Sequence, residues 1–241
     1  MTQSETQWKS PLATLPGAVA LEDVEGDVAF DVTAHYGDPS GEQWALEAGR
    51  AITDRPDLAV VEVSGPDRLT WLTSISSQVL TGIAPGESRE LLIMNPQGHI
   101  EHACGALDDG EILYLITEAS DAQALADWLN SMRFALRVEI TISQRWWLLG
   151  SIGESGVSQC DQVALTWNDP WPGIVDGGAA YYQGKHPGES LAFHIHLVPR
   201  DQAREFWREW SEAAPKRRAA GMAAWEATRI AAWRPRLGHE T

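Results

Sequence analysis

Hydrophobic and polar residues alternate most clearly between residues 58 and 142. A run rich in β-branched residues predicts a strand over Leu58–Ser64, and Pro66 within Gly65-Pro66-Asp67 marks the first turn of a helix. The apolar residues of that helix are predicted to share one side: Leu69, Leu72, Ile75 and Val79. Gly82 and Pro85-Gly86 end the helix.

Three strands, a second helix and a closing strand complete this region. The strands are separated by turns rich in Asn, Asp, Pro and Gly, and they are predicted over Arg89–Met94, His99–Leu107 and Glu111–Thr117. Ser120 and Gln123 have the spacing of a capping box. The helix behind them has an apolar stripe formed by Leu125, Trp128, Leu129 and Met132, and Leu136–Ile142 follows as the closing strand. This order favours helices on one face of a largely antiparallel sheet, an α+β arrangement.

The flanking regions predict further helices and strands. Gly41–Ile52 is interpreted as a short helix, and the acidic stretch Glu22–Asp38 as one or two strands and a loop. More strands are predicted over Arg145–Leu149, Val163–Trp167 and Leu191–Val198. Two helices follow, and the second runs from about Met222 to Trp233. The buried stripe of the first helix is predicted to consist of Ala203, Trp207, Trp210 and Ala214.

Composition and charge restrict the range of functions. The chain has 241 residues, 44% of them hydrophobic and 22% charged, so it can bury a substantial core. Its formal net charge of −16 argues against general nucleic-acid binding, because phosphate contacts need Lys and Arg. Residues 200–241 nevertheless carry nine Lys/Arg against six Asp/Glu. Either this segment attracts an anion, or its arginines pair with neighbouring acids.

Several kinds of protein and site are disfavoured by the residue patterns. No apolar run is long enough to cross a bilayer and the first residues are unlike a secretory signal, so a cytoplasmic location is expected. The two cysteines, Cys104 and Cys160, make no disulfide framework. Dinucleotide, P-loop and nucleophile-elbow motifs are absent. His194 and His196 share a strand face but lack a third ligand, so no metal site is predicted.

The last predicted helix carries the strongest candidate for ligand binding. Trp225 and Arg229 are one helical turn apart and lie on the same side. An indole beside a guanidinium suits a flat anionic ligand, because the ring can stack while the arginine meets a carboxylate. The alternative is a partly exposed tryptophan with an arginine stacked over it, a common surface arrangement.

Four segments together resemble one protein family. Val61–Leu72 is similar to the pattern V-x-G-x-D-x-x-x-(F/W/Y)-L, and Asn95–Ile100 to N-x-x-G-x-I. Ala126–Glu139 and Trp225–Thr241 resemble the corresponding stretches of actinobacterial members. The family is that of YgfZ-type folate-binding proteins, relatives of the glycine-cleavage T protein. The order and spacing of the four segments make the resemblance specific over most of residues 58–241.

The resemblance implies a discontinuous architecture. A first domain is expected from residues 1–57 and 142–241, and an inserted second α+β domain from residues 58–141. Each is expected to combine antiparallel sheet with helices. The family's third, C-terminal domain and its K-G-C-Y-x-G-Q-E motif do not occur in this sequence. A fragment, or a short member that lacks the reactive thiol, is therefore expected.

The resemblance also implies that tetrahydrofolate binds in a central cavity. The tryptophan before the R-I segment is a ring contact in the family, and the arginines that follow are candidates for the glutamyl carboxylates. The hairpin turn is expected to line the same cavity. The expected ligand contacts are therefore Asn95, Gly98, His99, Trp225, Arg229, Arg234 and Arg236.

Two departures from the family pattern bear on activity. T proteins have an acidic pair after the turn, where this chain has His102 and Ala103, and Ala231 replaces the glutamate of R-I-E-A-G. No catalytic residue is therefore predicted, and aminomethyl transfer is not expected. The family implies a role in iron–sulfur cluster maintenance and tRNA modification, with iron–sulfur proteins or tRNA-modifying enzymes as partners. The alternatives are an aminomethyltransferase-like one-carbon transferase, and a non-catalytic interaction module that uses Lys216-Arg217-Arg218.

Overall fold

The computed structural model describes residues 8–21, 31–171, 173–174, 179–180 and 182–238. The strands in this part of the chain are β1 Val19–Ala20, β2 Thr33–His35, β3 Ala51–Asp54, β4 Leu58–Ser64, β5 Ser88–Met94, β6 Ile100–Asp108, β7 Ile112–Glu118, β8 Glu139–Ser143, β9 Trp146–Ile152, β10 Leu165–Asn168, β11 Phe193–Pro199 and β12 Arg218–Ala220. The α-helices are α1 Pro39–Glu47, α2 Arg68–Ile75, α3 Ala122–Met132, α4 Ala203–Glu212 and α5 Met222–Ala231.

Ten of these strands form two five-stranded sheets. The first sheet has the order β10-β11-β9-β3-β12, antiparallel except for the parallel pair β12–β3. The second has the order β5-β6-β7-β4-β8 and is antiparallel throughout. The chain thus leaves the first sheet after β3, forms the whole second sheet, and returns at β9. The short strands β1 and β2 pair with each other.

Three apolar clusters hold these layers together. The first contains inward-facing residues of both sheets, such as Trp146, Trp167 and Tyr114, with Trp225 of α5. The second packs α2 and α3 against the second sheet, and the third packs α4 against the first sheet around Trp210. The second sheet therefore has α2 and α3 on one face, whereas the first sheet has α4 on one face and α5 on the other. The combination of antiparallel sheets with helices agrees with the predicted α+β class.

The predicted bounds agree closely with the structure where the pattern is strong. β4 has the predicted ends, and β5, β6 and β7 differ from prediction by one residue at their ends. The prediction for the acidic stretch Glu22–Asp38 falls partly outside the described residues, which do not include residues 22–30.

Four local predictions were wrong. The predicted helix Gly41–Ile52 ends at Glu47, and its last residues belong to β3, where pairing with β12 outweighs helical propensity. Val79 lies outside α2 and is exposed. Ser120 makes no capping box, because α3 begins one residue later, after Asp121. Phe206 rather than Trp207 is fully buried in α4.

The division into two domains at residues 58 and 141 stays a prediction. Its first limit coincides with the start of the second sheet at Leu58, and its second lies two residues before the end of that sheet at Ser143. No α-helix among the described residues is long and apolar enough to cross a membrane.

Candidate functional site

A cavity of about 330 Å³ lies between the two sheets, beside α5 and the segment that follows it. Its position follows from the second sheet, in which the β6–β7 ladder ends at the pair Gly105↔Ile116. Beyond that pair, the Thr117 hydroxyl donates to the carbonyl of Ala103 over 3.1 Å in place of a backbone bond. The middle of β6 and the end of β7 line one wall, and β11, α5 and residues 234–238 line the other.

The start of α5 is fixed by a buried carboxylate. Glu42 of α1 is fully buried, and its Oε2 accepts the backbone N–H of Gly221 over 2.9 Å. Its Oε1 accepts the N–H groups of Tyr36 and Asp38 over 2.8 and 3.2 Å. Because all three donors are backbone groups, Glu42 ties α1 to the first turn of α5 and so sets where Trp225 lies.

Trp225 lines the cavity but is only 5% exposed. A Cβ at Gly150 would lie 2.8 Å from both Cε3 and Cη2 of the indole, and closer still to Cζ3, so Gly150 packs on a ring face. The guanidinium of Arg55 lies over the ring, 4.7 Å from its centroid, and Phe193 meets it edge-on at 5.3 Å. Stacking of a ligand on Trp225 therefore requires Arg55 to move.

The three arginines predicted to bind ligand carboxylates also line the cavity, but each already contacts a carboxylate of the protein. Arg229 donates to Glu226 from Nε and Nη2 over 2.9 and 2.7 Å. Arg234 donates to Asp169 and to Glu90, both over 2.7 Å.

Arg236 bridges two parts of the fold. It donates to both oxygens of Glu118 over 2.8 and 2.5 Å, and to Asp57 over 2.9 Å. Asp57 also accepts hydrogen bonds from both Nε and Nη2 of Arg55. Although burial raises the pKa of Asp57, the charges of Arg55 and Arg236 bring it below its usual value.

The charges around the cavity are close to balance, with carboxylates in excess. Four arginines line it: Arg55, Arg229, Arg234 and Arg236. Five carboxylates line it: Glu90, Glu118, Asp121, Asp169 and Glu226. The positive charge of the arginines in the C-terminal segment is thus neutralised at the cavity. This agrees with the second of the two interpretations of residues 200–241, in which the arginines pair with neighbouring acids.

Asp121 and His102 form a further polar pair at this wall. Nδ1 of His102 lies 2.9 Å from both carboxylate oxygens of Asp121, and Thr117 Oγ1 lies 3.3 Å from Oδ2. His102 is buried beside Trp128, while Asp121 lines the cavity. Burial, helped by the charge of Asp121, raises the pKa of the neighbouring Cys104 thiol to about 12, so it stays protonated and is a poor nucleophile.

Asn95, Gly98 and His99 are not among the residues that line the cavity. They form the turn between β5 and β6, in which Asn95 Oδ1 accepts the N–H groups of Gln97 and His99, both over 3.0 Å. Gly98 has a φ of 84°, a conformation that favours glycine. The N-x-x-G pattern is thus explained by turn geometry, and Gly98 and His99 are exposed.

The remaining candidates have structural partners. His196 is buried between the hydroxyls of Ser151 and Thr166, at 2.8 and 2.9 Å, and burial lowers its pKa to about 3. No group of three potential metal ligands occurs in the described part of the chain. In the basic cluster, Arg217 lies over Trp210 and donates to its carbonyl over 2.8 Å, and Arg218 pairs with Asp38.

Comparison with known proteins bears on the fold. No protein-family model and no curated protein sequence matches the chain. Among solved structures, the chain is similar to the glycine cleavage system aminomethyltransferase T from Bartonella henselae, with a TM-score of 0.64 and 18% sequence identity. The match covers 89% of this chain and 58% of that protein. The chain therefore has a fold like that of the glycine-cleavage T protein, and spans just over half the length of the T protein that it matches.

Proposed function

We propose that the chain binds tetrahydrofolate in the cavity beside Trp225, as a folate-binding protein of the YgfZ type. The main support is the cavity itself, which is lined by aromatic, apolar and charged side chains within a T-protein-like fold. The family resemblance in the sequence assigns tetrahydrofolate to a cavity in this position. The volume of the cavity, about 330 Å³, is at the small end of the range for small-molecule sites, about 300–1,000 Å³. A bicyclic ring fits this size, and the glutamyl tail would extend outside.

The contacts favour an edge contact between the ligand and Trp225. Gly150 and Arg55 occupy the neighbourhood of the indole faces, and Arg55 is held by two hydrogen bonds to Asp57. Phe193 and Ile195 supply further apolar wall. A ligand ring that packs against these side chains leaves the Arg55–Asp57 pair intact, whereas stacking would break it.

Calorimetric titration of tetrahydrofolate into wild type and Trp225→Phe tests this proposal. We expect saturable one-to-one binding to wild type and up to about tenfold weaker binding to the variant, the size of one aromatic contact. Trp44→Phe is the matched control, because Trp44 is 71% exposed and lies on α1. If wild type shows no saturable binding, the proposal is wrong. Equal affinities for all three proteins would reject the role of Trp225.

We also propose the cellular role that the resemblance implies, which is support of iron–sulfur cluster maintenance and of tRNA modification by iron–sulfur enzymes. It is favoured over aminomethyl transfer by the absence of acids at His102, Ala103 and Ala231. Deletion of the gene is expected to lower iron–sulfur-dependent tRNA modifications, measured by mass spectrometry of digested tRNA. Modification levels that stay unchanged on deletion would reject this role.

A further inference from the structure

Asp121 differs from every other carboxylate that lines the cavity. Glu90 and Asp169 contact Arg234, while Glu118 and Glu226 contact Arg236. The contacts of Asp121 are instead Nδ1 of His102 and the hydroxyl of Thr117. The excess negative charge of the wall is therefore concentrated at a carboxylate without an arginine partner among the described residues.

The orientation of Asp121 is not explained by helix capping. It occupies the N-cap position of α3, where an aspartate usually accepts a backbone N–H of the first turn. Here the side chain makes no capping bond and is turned towards His102, at the point where the β6–β7 ladder has ended. His102 comes from β6 and Thr117 from β7, so the two diverging strands together fix the carboxylate at the cavity wall.

The carboxylate retains capacity for another donor. An ionised carboxylate has about four lone-pair positions, and the His102 ring and the Thr117 hydroxyl, whose one proton is also directed at the carbonyl of Ala103, occupy only part of them. The Asp121 side chain is 24% exposed, against 8% for His102, so the accessible member of the pair is the one that only accepts. An anionic group would be repelled here, whereas an N–H donor would complete the hydrogen bonding.

We infer that Asp121 is the recognition point in the cavity for an N–H donor of the ligand, an amine or an amino-substituted heterocycle, and that His102 is its positioning residue. The inference deepens the proposed folate function and rests on it for the identity of the natural ligand. It assigns the amino-bearing end of that ligand to the gap between β6 and β7. The glutamyl carboxylates then point away from Asp121.

Two small probes test the inference directly. One is 2-amino-4-oxopteridine, and the other is 2,4-dioxopteridine, which has an oxygen acceptor where the first has an amino donor. Both are titrated, together with tetrahydrofolate, into wild type, Asp121→Asn and Asp127→Asn. Asp127 lies on the same helix, is exposed and bonds Gln123, so its variant makes the same charge change away from the cavity.

We expect wild type and Asp127→Asn to prefer the amino probe by about tenfold or more, as for a hydrogen bond to a charged group. Asp121→Asn should bind tetrahydrofolate about 10- to 100-fold more weakly and should lose the preference between the probes, because its amide can also donate. Asn Oδ1 can still accept from His102, so thermal unfolding should be nearly unchanged.

The outcomes separate the inference from the proposed function. If tetrahydrofolate binds wild type and Asp121→Asn equally, the inference is wrong and the folate proposal stands. If tetrahydrofolate does not bind but the preference for the amino probe depends on Asp121, the folate proposal is wrong and the inference stands. If no probe binds, or wild type shows no preference, the inference is overturned.

Discussion

Replacing Asp54 with Asn should remove a pH-dependent loss of stability. Asp54 is 5% exposed, its Oδ1 accepts the indole N–H of Trp147 over 2.9 Å, and its Oδ2 has no hydrogen-bond partner among the described residues. Burial raises its pKa from an ordinary value of 3.8 to about 6. The folded state therefore holds this proton more tightly than the unfolded state, so the contribution of Asp54 to stability is greatest below pH 3.8 and is lost as the pH rises through 6.

The size of the effect follows from the shift. A change of about two pKa units corresponds to about 3 kcal/mol, at 1.36 kcal/mol per unit. Asparagine is neutral at every pH and keeps the acceptor for Trp147. The free energy of unfolding of Asp54→Asn, minus that of wild type, should therefore rise by about 2.4 kcal/mol between pH 4 and pH 7, because part of the full change already lies below pH 4.

Urea unfolding followed by tryptophan fluorescence at several pH values measures this difference. Subtracting wild type cancels the titration of all groups that the substitution leaves unchanged. The amide nitrogen that replaces Oδ2 changes the free energy of unfolding by an amount that does not vary with pH. The test is therefore how the difference between variant and wild type changes with pH, not its absolute value. Asp127→Asn controls for net charge. A difference between Asp54→Asn and wild type that is flat from pH 4 to pH 7 would refute the reasoning.

Three further predictions concern other buried groups. Gly150→Ala should lower the free energy of unfolding by about 1–3 kcal/mol in urea titration, because the new Cβ overlaps the ring of Trp225; an unchanged midpoint would contradict the packing. Arg68→Met should cost about 3–5 kcal/mol by the same assay, since it leaves Asp108, 1% exposed, without the guanidinium it meets at 2.8 and 3.0 Å; a loss below about 1 kcal/mol would argue against this. Iodoacetamide should modify Cys104 in native protein far more slowly than in urea, as peptide mass spectrometry would show; equal rates would contradict its burial.

The parts of the fold that could be predicted are those with strong local patterns. β4 is rich in β-branched residues and bounded by a Gly-Pro-Asp turn, so its ends can be read from residues 58–67 alone. β3 and β12 are short and pair with each other in parallel. The two strands are far apart in the chain, and three or four residues are too few to show an alternation of hydrophobic and polar positions. Neither strand could therefore be predicted from a local pattern.

In the candidate site, too, only the residues within a local sequence pattern could be identified from the sequence. Trp225, Arg229, Arg234 and Arg236 all line one cavity, and their contact with a ligand, inferred from the sequence, stays a prediction. The carboxylate partners of the arginines could not be assigned, because Asp57, Glu90 and Glu118 reach them only through the packing of the two sheets.

Asp121 escaped prediction for a different reason. The capping-box spacing of Ser120 and Gln123 draws attention to the residue before it, and its partner His102 lies on another element, 19 residues away. The sequence did contain one signal. An aspartate between the end of a strand and the start of a helix can either cap the helix or bond a side chain of a neighbouring element. Only the structure distinguishes the capping role from the contact with His102.

Blocking the cavity tests folate binding most directly. Ala103 lies on the cavity wall in β6 and is half-buried, so Ala103→Phe places a ring in the space assigned to the ligand. Calorimetric titration of tetrahydrofolate should show saturable one-to-one binding to wild type and none to Ala103→Phe, with both proteins folded by circular dichroism. Equal binding to wild type and to the folded variant, or no binding to wild type, would contradict the assignment of the folate to this cavity.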